Sequence, residues 1–172
     1  VNDVGYRADD CSASEYADDS CEASEWSSPV ADALSKEGVR LYNYYVMWVC
    51  SPARSAMLTG RYPMRYGFQY SPELADLPLG ESTLADELKT AGYKTRMVGK
   101  WHLGFTTWEY TPEWRGFDNW YGYYSGFCGY WNKTYGDLGV YQDLTNGTEL
   151  VTDKDELKQY MGHLLQDKVE DA

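Results

Sequence analysis

Cys50-Ser51-Pro52-Ala53-Arg54-Ser55-Ala56-Met57-Leu58-Thr59-Gly60-Arg61-Tyr62 is the stretch from which the rest of the chain is read. Its alanines and leucine favour a short helix, and Pro52 suits the first turn, where a missing N–H costs nothing. Cys50 is then expected just outside the helix N-terminus, where unpaired N–H groups and the helix dipole favour an anion. Arg54 falls on the next turn and adds a full positive charge at the same spot. A thiol there could act as a nucleophile if a base lay beside it. The histidines available are His102 and His163, and neither carries the flanking pattern of a cysteine hydrolase.

Working outward, Pro29 to Glu37 has helical character, with Val30, Ala33 and Leu34 on one face and Gly38 as a stop. Val39 to Val49 is β-branched and aromatic and reads as a strand approaching Cys50. Thr83 to Ala91 reads as a helix, with Leu84, Leu88 and Ala91 at helical spacing and Gly92 at its end. Tyr93 to Val98 reads as a strand delivering Lys100 and His102. Those two lie two apart in an extended segment, so both side chains are expected on one side. Residues 105–141, crowded with Gly, Tyr and Trp, read as loop. Their tryptophans, with Trp101, are expected to pack under long loops; a platform for sugar rings is the alternative. Asp153 to Val169 reads as a last amphipathic helix, with His163 on its surface. Helices alternating with strands give an α/β domain with a mixed sheet and crossover helices.

The chain has 27 acidic and 15 basic residues, which disfavours nucleic acid as a partner. The charge is uneven. Residues 1–37 carry a net of −8, whereas residues 50–102 carry +2 and contain both Cys50 and His102. The one mildly basic segment of an acidic chain suits an anionic substrate. No apolar run reaches membrane-spanning length. Residues 6–28 are acidic and Ser/Ala-rich and read as a solvated surface insertion. A metal site built on Asp9-Asp10 or Asp18-Asp19 is the sharper alternative. The four cysteines do not read as a disulfide framework; Cys11 and Cys21 could close a small loop, leaving Cys128 free or without its partner. Asn132-Lys133-Thr134 and Asn146-Gly147-Thr148 are N-glycosylation sequons, in keeping with a secreted glycoprotein.

Cys50 to Tyr62 resembles the first signature of the type I sulfatases, and Gly99-Lys100-Trp101-His102-Leu103-Gly104 resembles the second. Their spacing is similar to that of the arylsulfatase B-like branch. Smaller matches are Asn2-Asp3-Val4-Gly5, Gly38-Val39-Arg40, Ala91-Gly92-Tyr93 and Arg115-Gly116-Phe117-Asp118. The resemblance implies an alkaline-phosphatase-like sulfatase α/β sandwich, with residues 1–172 as a partial catalytic domain lacking its first strand and C-terminal half. It further implies a hydrolase in the secretory pathway, extracellular or lysosomal. The substrate would be a sulfate ester, either an aryl sulfate or a sulfated glycan.

In that family the cysteine is converted to formylglycine by a formylglycine-generating enzyme that reads C-x-P-x-R in the unfolded chain. The hydrated aldehyde presents two hydroxyls on one carbon. One attacks sulfur and displaces the alcohol; the other, losing its proton, expels sulfate. By resemblance Cys50 is the formylglycine precursor and a metal ligand, and Arg54 holds the hydrated aldehyde. Lys100 pairs with sulfate oxygens, while His102 hydrogen-bonds the formylglycine hydroxyl and moves protons. A divalent ion, calcium in most members, polarises the sulfate.

The family's other metal ligands are expected outside this sequence, and the role is not transferred to Asp9, Asp10, Asp18 or Asp19, which follow the Val4-Gly5 match. A non-catalytic secreted binding module and a phosphoester or phosphonate hydrolase of the same superfamily are the competing readings. Calcium requires six to eight oxygen ligands, several of them carboxylates. Calorimetry on these 172 residues is accordingly expected to show weak calcium binding or none; a tight stoichiometric isotherm would contradict it.

Overall fold

Arg96–Lys100 (β1) and Asn119–Tyr123 (β2) run parallel and in register, with Gly99 opposite Gly122. They begin the sheet that positions the second motif in a computed structural model describing residues 28–41, 44–70, 75–135 and 141–171. The acidic stretch 6–28, with Cys11, Cys21 and both Asp pairs, lies outside the described residues except for Ser28. The chain divides into two compact units, 1–45 and 46–172.

In the first unit, Pro29–Glu37 (α1) has proline at its first position, and the Gly38 N–H donates to Leu34 O at 2.9 Å to end it. Val30 and Leu34 are exposed. The strand expected over 39–49 is not found: residues 39–41 and 44–49 have no regular structure. Val39, Tyr45 and Trp48 are more than four-fifths exposed. β-branched and aromatic residues fit a pleated, half-buried surface, and no described strand pairs with this segment to provide one.

In the second unit, Cys50–Thr59 (α2) ends at Gly60, whose φ of 66° supplies the left-handed cap. Leu84–Thr90 (α3) starts with a reciprocal capping box between Thr83 and Asp86. Its inward face is not the expected one. Ala85 is buried, while Leu84 is 54 % exposed. The reason is close packing: the Thr83 hydroxyl donates to Arg115 O at 2.8 Å, and Gly116 lies against the Ala85–Asp86 backbone. A side chain on residue 116 would collide with that backbone.

The connection from β1 to β2 contains two 3-10 turns, Trp108–Tyr110 and Pro112–Arg115. Residues 105–141 are therefore not all loop, since β2 is the second strand of the main sheet. Thr134–Tyr135 (β3) pairs with Tyr141–Gln142 (β4) as a separate ribbon. Leu144–Asn146 (β5) runs antiparallel to β2 and turns at Gly147 into Glu149–Leu150 (β6). The main sheet thus has the order β1-β2-β5-β6 and is mixed.

The last helix is broken into Lys154–Lys158 (α4) and Met161–Glu170 (α5). Lys133 accounts for the break. Wholly buried, its ammonium donates to Gln159 O at 2.5 Å, Leu157 O at 3.4 Å and the carbonyls of Tyr130 and Trp131. It satisfies the end of α4 that a continuing helix would otherwise occupy.

Successive residues of β2 face opposite ways, and the core follows. Trp120 joins Phe68, Leu77, Trp101 and Leu103 on one side; Tyr121 joins Cys128, Leu144, Val151, Met161 and Leu164 on the other. The tryptophans divide between roles: Trp101 and Trp120 are core, while Trp108 and Trp114 stack on each other half-exposed. Cys128 is a buried free thiol whose pKa burial pushes up to about 12, which keeps it unreactive.

A Cβ at Gly122 would run into the Gly99 carbonyl of the neighbouring strand. Gly122→Ala is expected to cost about 2–3 kcal/mol by overpacking. Gly80→Ala, facing open space, should stay within about 0.5 kcal/mol. Urea denaturation of both variants measures the difference.

Candidate active site

Cys50 is exposed and is the first residue of α2, one place further in than expected. Val49 is the extended N-cap residue, and its carbonyl accepts the Ala53 N–H at 3.1 Å. Ser51, beside it, is buried, and its hydroxyl lies 3.3 Å from His102 Nδ1. One turn on, Arg54 Nε donates to Trp101 O at 2.8 Å and Nη2 donates to Lys100 O. Burial holds its pKa below the ordinary value, with Tyr123 and Cys50 acting in the opposite direction.

Trp101 anchors the second motif. It is fully buried, and its indole N–H donates to the carbonyls of Gly104 and Tyr110, each at 2.9 Å. Lys100, the last residue of β1, donates from Nζ to Gly126 O at 2.6 Å. His102 does not continue the extended chain: its φ is 55°, in the left-handed region. The shared side expected from strand alternation therefore has another cause. Both side chains meet Gly126, Lys100 through the carbonyl and His102 through its ring. A Cβ on Gly126 would come within 2.8 Å of His102 Nε2. Only glycine admits the imidazole there.

His102 is 6 % exposed, and its Nε2 is buried with no hydrogen-bond partner among the described residues. Burial, then Lys100, then Arg54 push its pKa down to about 4. The imidazole is therefore neutral at pH 7. An anion arriving beside Lys100 would offset the two cations and draw the His102 pKa back up.

Among the described residues, no three His, Cys, Asp or Glu side chains come together to hold a metal ion. The groups around Cys50 are cationic or imidazole, whereas calcium wants several carboxylates. By themselves the described residues do not fit a calcium site, and no step is assigned to one. His163 is exposed, edge-on to Tyr160, and takes no part. Ser51 and Gly126 were not singled out in the sequence. Ser51 was within reach of notice inside the first motif; Gly126 lay in a stretch read as loop.

A family model described as Sulfatase matches residues 8–168. The chain belongs to the sulfatase family. Arylsulfatase J of Mus musculus is 44 % identical over 121 residues, covering 60 % of this chain and 20 % of that protein. N-acetylgalactosamine-6-sulfatase of Homo sapiens is 38 % identical over 129 residues, covering 67 % of this chain and 24 % of that protein. The sulfatase chain thus spans a fifth to a quarter of the length of these curated relatives. The crystal structure of Ps i-CgsB superposes with a TM-score of 0.78 at 25 % identity, over 99 % of this chain and 38 % of that one. Its likeness accords with the α/β sulfatase fold read from the two signatures.

The depressed His102 pKa has a signed consequence. Between about 4 and the ordinary value of 6.5, the unfolded sulfatase chain binds a proton that the folded one does not, so stability rises with pH across that window. NMR titration of the imidazole should give a midpoint near 4. Lys100→Gln should raise it while leaving it below 6.5, because burial is the larger cause.

Proposed function

We propose that this chain carries the nucleophile-bearing part of a sulfate ester hydrolase, with Cys50 as the formylglycine position. The observation that supports this most is the buried, unpartnered His102 Nε2, next to two cations and bonded through Nδ1 to the residue that follows Cys50. A buried imidazole nitrogen with no partner is costly, and in the proposed chemistry a hydroxyl on residue 50 is its partner.

Each residue then has a role in its own chemistry. Residue 50, at the exposed start of α2, bears the attacking oxygen. Arg54, oriented by its bonds to two strand-end carbonyls, stabilises negative charge gathering on that oxygen. Lys100 uses one N–H on Gly126 and offers the others to sulfate oxygens. His102, neutral at pH 7, passes a proton to or from the residue-50 hydroxyl. A divalent ion would add Lewis-acid polarisation of the sulfate; of the described residues only residue 50, as formylglycine, is proposed as a ligand to it.

The substrate class is a sulfate ester, aryl sulfate or sulfated sugar; the name of the human relative, N-acetylgalactosamine-6-sulfatase, supports the sugar arm. The mammalian relatives favour a secretory or lysosomal route, on which a formylglycine-generating enzyme would act before folding. Asn132 and Asn146 are exposed, as glycan acceptors must be. No helix among the described residues is long and apolar enough to cross a membrane.

The test is chemical. The protein, made in cells that mature sulfatases, is digested and the Cys50 peptide is weighed. An aldehyde in place of the thiol is the expected result; a peptide wholly in the thiol form sinks the reading. These 172 residues alone are expected to turn over little aryl sulfate; in a full-length parent, Lys100→Ala and His102→Ala are each expected to lower that turnover by at least about a hundredfold. A parallel aryl phosphate assay is expected to show the slower reaction.

A further inference from the structure

Asp143, between β4 and β5, is 3 % exposed and makes no ion pair with a described residue. A buried carboxylate without a cation is expensive. Two of its partners are consecutive backbone groups: Oδ1 accepts the Tyr124 N–H at 3.1 Å and Oδ2 accepts the Ser125 N–H at 2.9 Å; the Ser125 hydroxyl is a third donor. Those residues begin the turn by which the chain leaves β2. Tyr123 O and Tyr124 O receive the N–H groups of Trp101 and His102 at 2.9 and 3.0 Å. The next residue, Gly126, takes the Lys100 ammonium on its carbonyl and lies against the His102 ring. Asp143 is itself pinned by its own N–H to Lys133 O at 3.1 Å and by wholly buried Leu144 beside it.

We infer that Asp143 is a positioning residue for the proposed sulfate site: its carboxylate fixes the 124–126 turn, and that turn fixes the Lys100 ammonium and the His102 imidazole. The inference rests on the proposed function for the name of the site, though its geometry stands apart from catalysis. Burial raises the Asp143 pKa, and the Ser125 amide, the Ser125 hydroxyl and the Tyr124 amide oppose that rise. The acceptor sites matter most here, because in Asp143→Asn one oxygen becomes an N–H₂ that faces a backbone N–H.

The test measures Lys100 and asks nothing of turnover. The full chain, native and D143N, is pulsed with an acetylating reagent, and each lysine is quantified by peptide mass spectrometry. D143N is expected to acetylate about fivefold faster at Lys100, the weight of one net hydrogen bond, with exposed Lys94 and Lys154 unchanged. Asp86→Asn, which weakens the α3 cap far from this turn, is the control for general destabilisation and should leave Lys100 at the native rate. An unchanged Lys100 rate in folded D143N, or an equal rise in D86N, overturns the inference. In the native chain the Tyr124 and Ser125 amides should exchange with solvent as slowly as those of β2. Rapid exchange there overturns it too, whether or not the variant folds. A thiol at Cys50 together with a responsive Lys100 would reject the sulfatase chemistry and keep the positioning.

Discussion

The guanidinium of Arg54 reaches out of α2 and donates to the carbonyls of Trp101 and Lys100. Those carbonyls belong to the last residue of β1 and the one after it. Half-burying a guanidinium costs desolvation, visible in its lowered pKa, but arginine stays charged at any ordinary pH. Its planar fork meets two adjacent carbonyls at once, in a geometry that the guanidinium itself fixes. The helix bearing Cys50 and the strand end bearing Lys100 and His102 are thereby held in one register, although nearly fifty residues of chain separate them. The Ser51 hydroxyl, 3.3 Å from His102 Nδ1, is a second tie between the same two segments.

Contacts on every side make the strained backbone at His102 tolerable. A left-handed non-glycine residue persists only where its surroundings over-determine it. Here the N–H is held by Tyr124 O, the ring by Ser51 and by the bare Cα of Gly126, and the preceding indole by the core. The strain carries a chemical consequence. It leaves the imidazole buried and under the influence of two cations, so it rests neutral at pH 7. A residue of ordinary backbone geometry at the end of β1 would point elsewhere and titrate as a normal surface histidine.

How much of this was legible in the sequence follows from the range of each interaction. α1 was readable to its ends because Pro29 and Gly38 act locally. The cap of α3 was nearly so, through Thr83. Which face of α3 turns inward was not, because it goes with the packing of Arg115 and Gly116, some thirty residues away, against Thr83 and the Ala85–Asp86 backbone. The break between α4 and α5 was invisible for a similar reason: it depends on Lys133, which the sequence showed only as the middle of a sequon. β2 was hidden among Gly and aromatic residues that resemble loop, and only its parallel pairing with β1 reveals Trp120-Tyr121-Gly122-Tyr123 as a strand. The two signatures identified Cys50, Arg54, Lys100 and His102 as candidates; strand alternation gave the wrong reason for Lys100 and His102 lying together, since the real one is a glycine twenty-four residues later.

The use of charge unites these observations. The chain is strongly acidic, with a net charge of −12, yet the described cations at its structural junctions do not pair chiefly with carboxylates. Arg54, Lys100 and Lys133 each end on backbone carbonyls. Arg115 does the same, donating to Leu77 O at 2.9 Å and Glu81 O at 2.7 Å, while the Leu77 N–H returns to Leu103 O at 2.8 Å. One arginine thus clamps the second motif from the side of α2 and another clamps it from the strap at 77–81. A cation bound to carbonyls keeps its full charge, whereas one paired with a carboxylate is neutralised. Segments outside the regular sheet are in this way held firm by groups that leave positive potential behind, and around His102 that potential is what an incoming anion would meet.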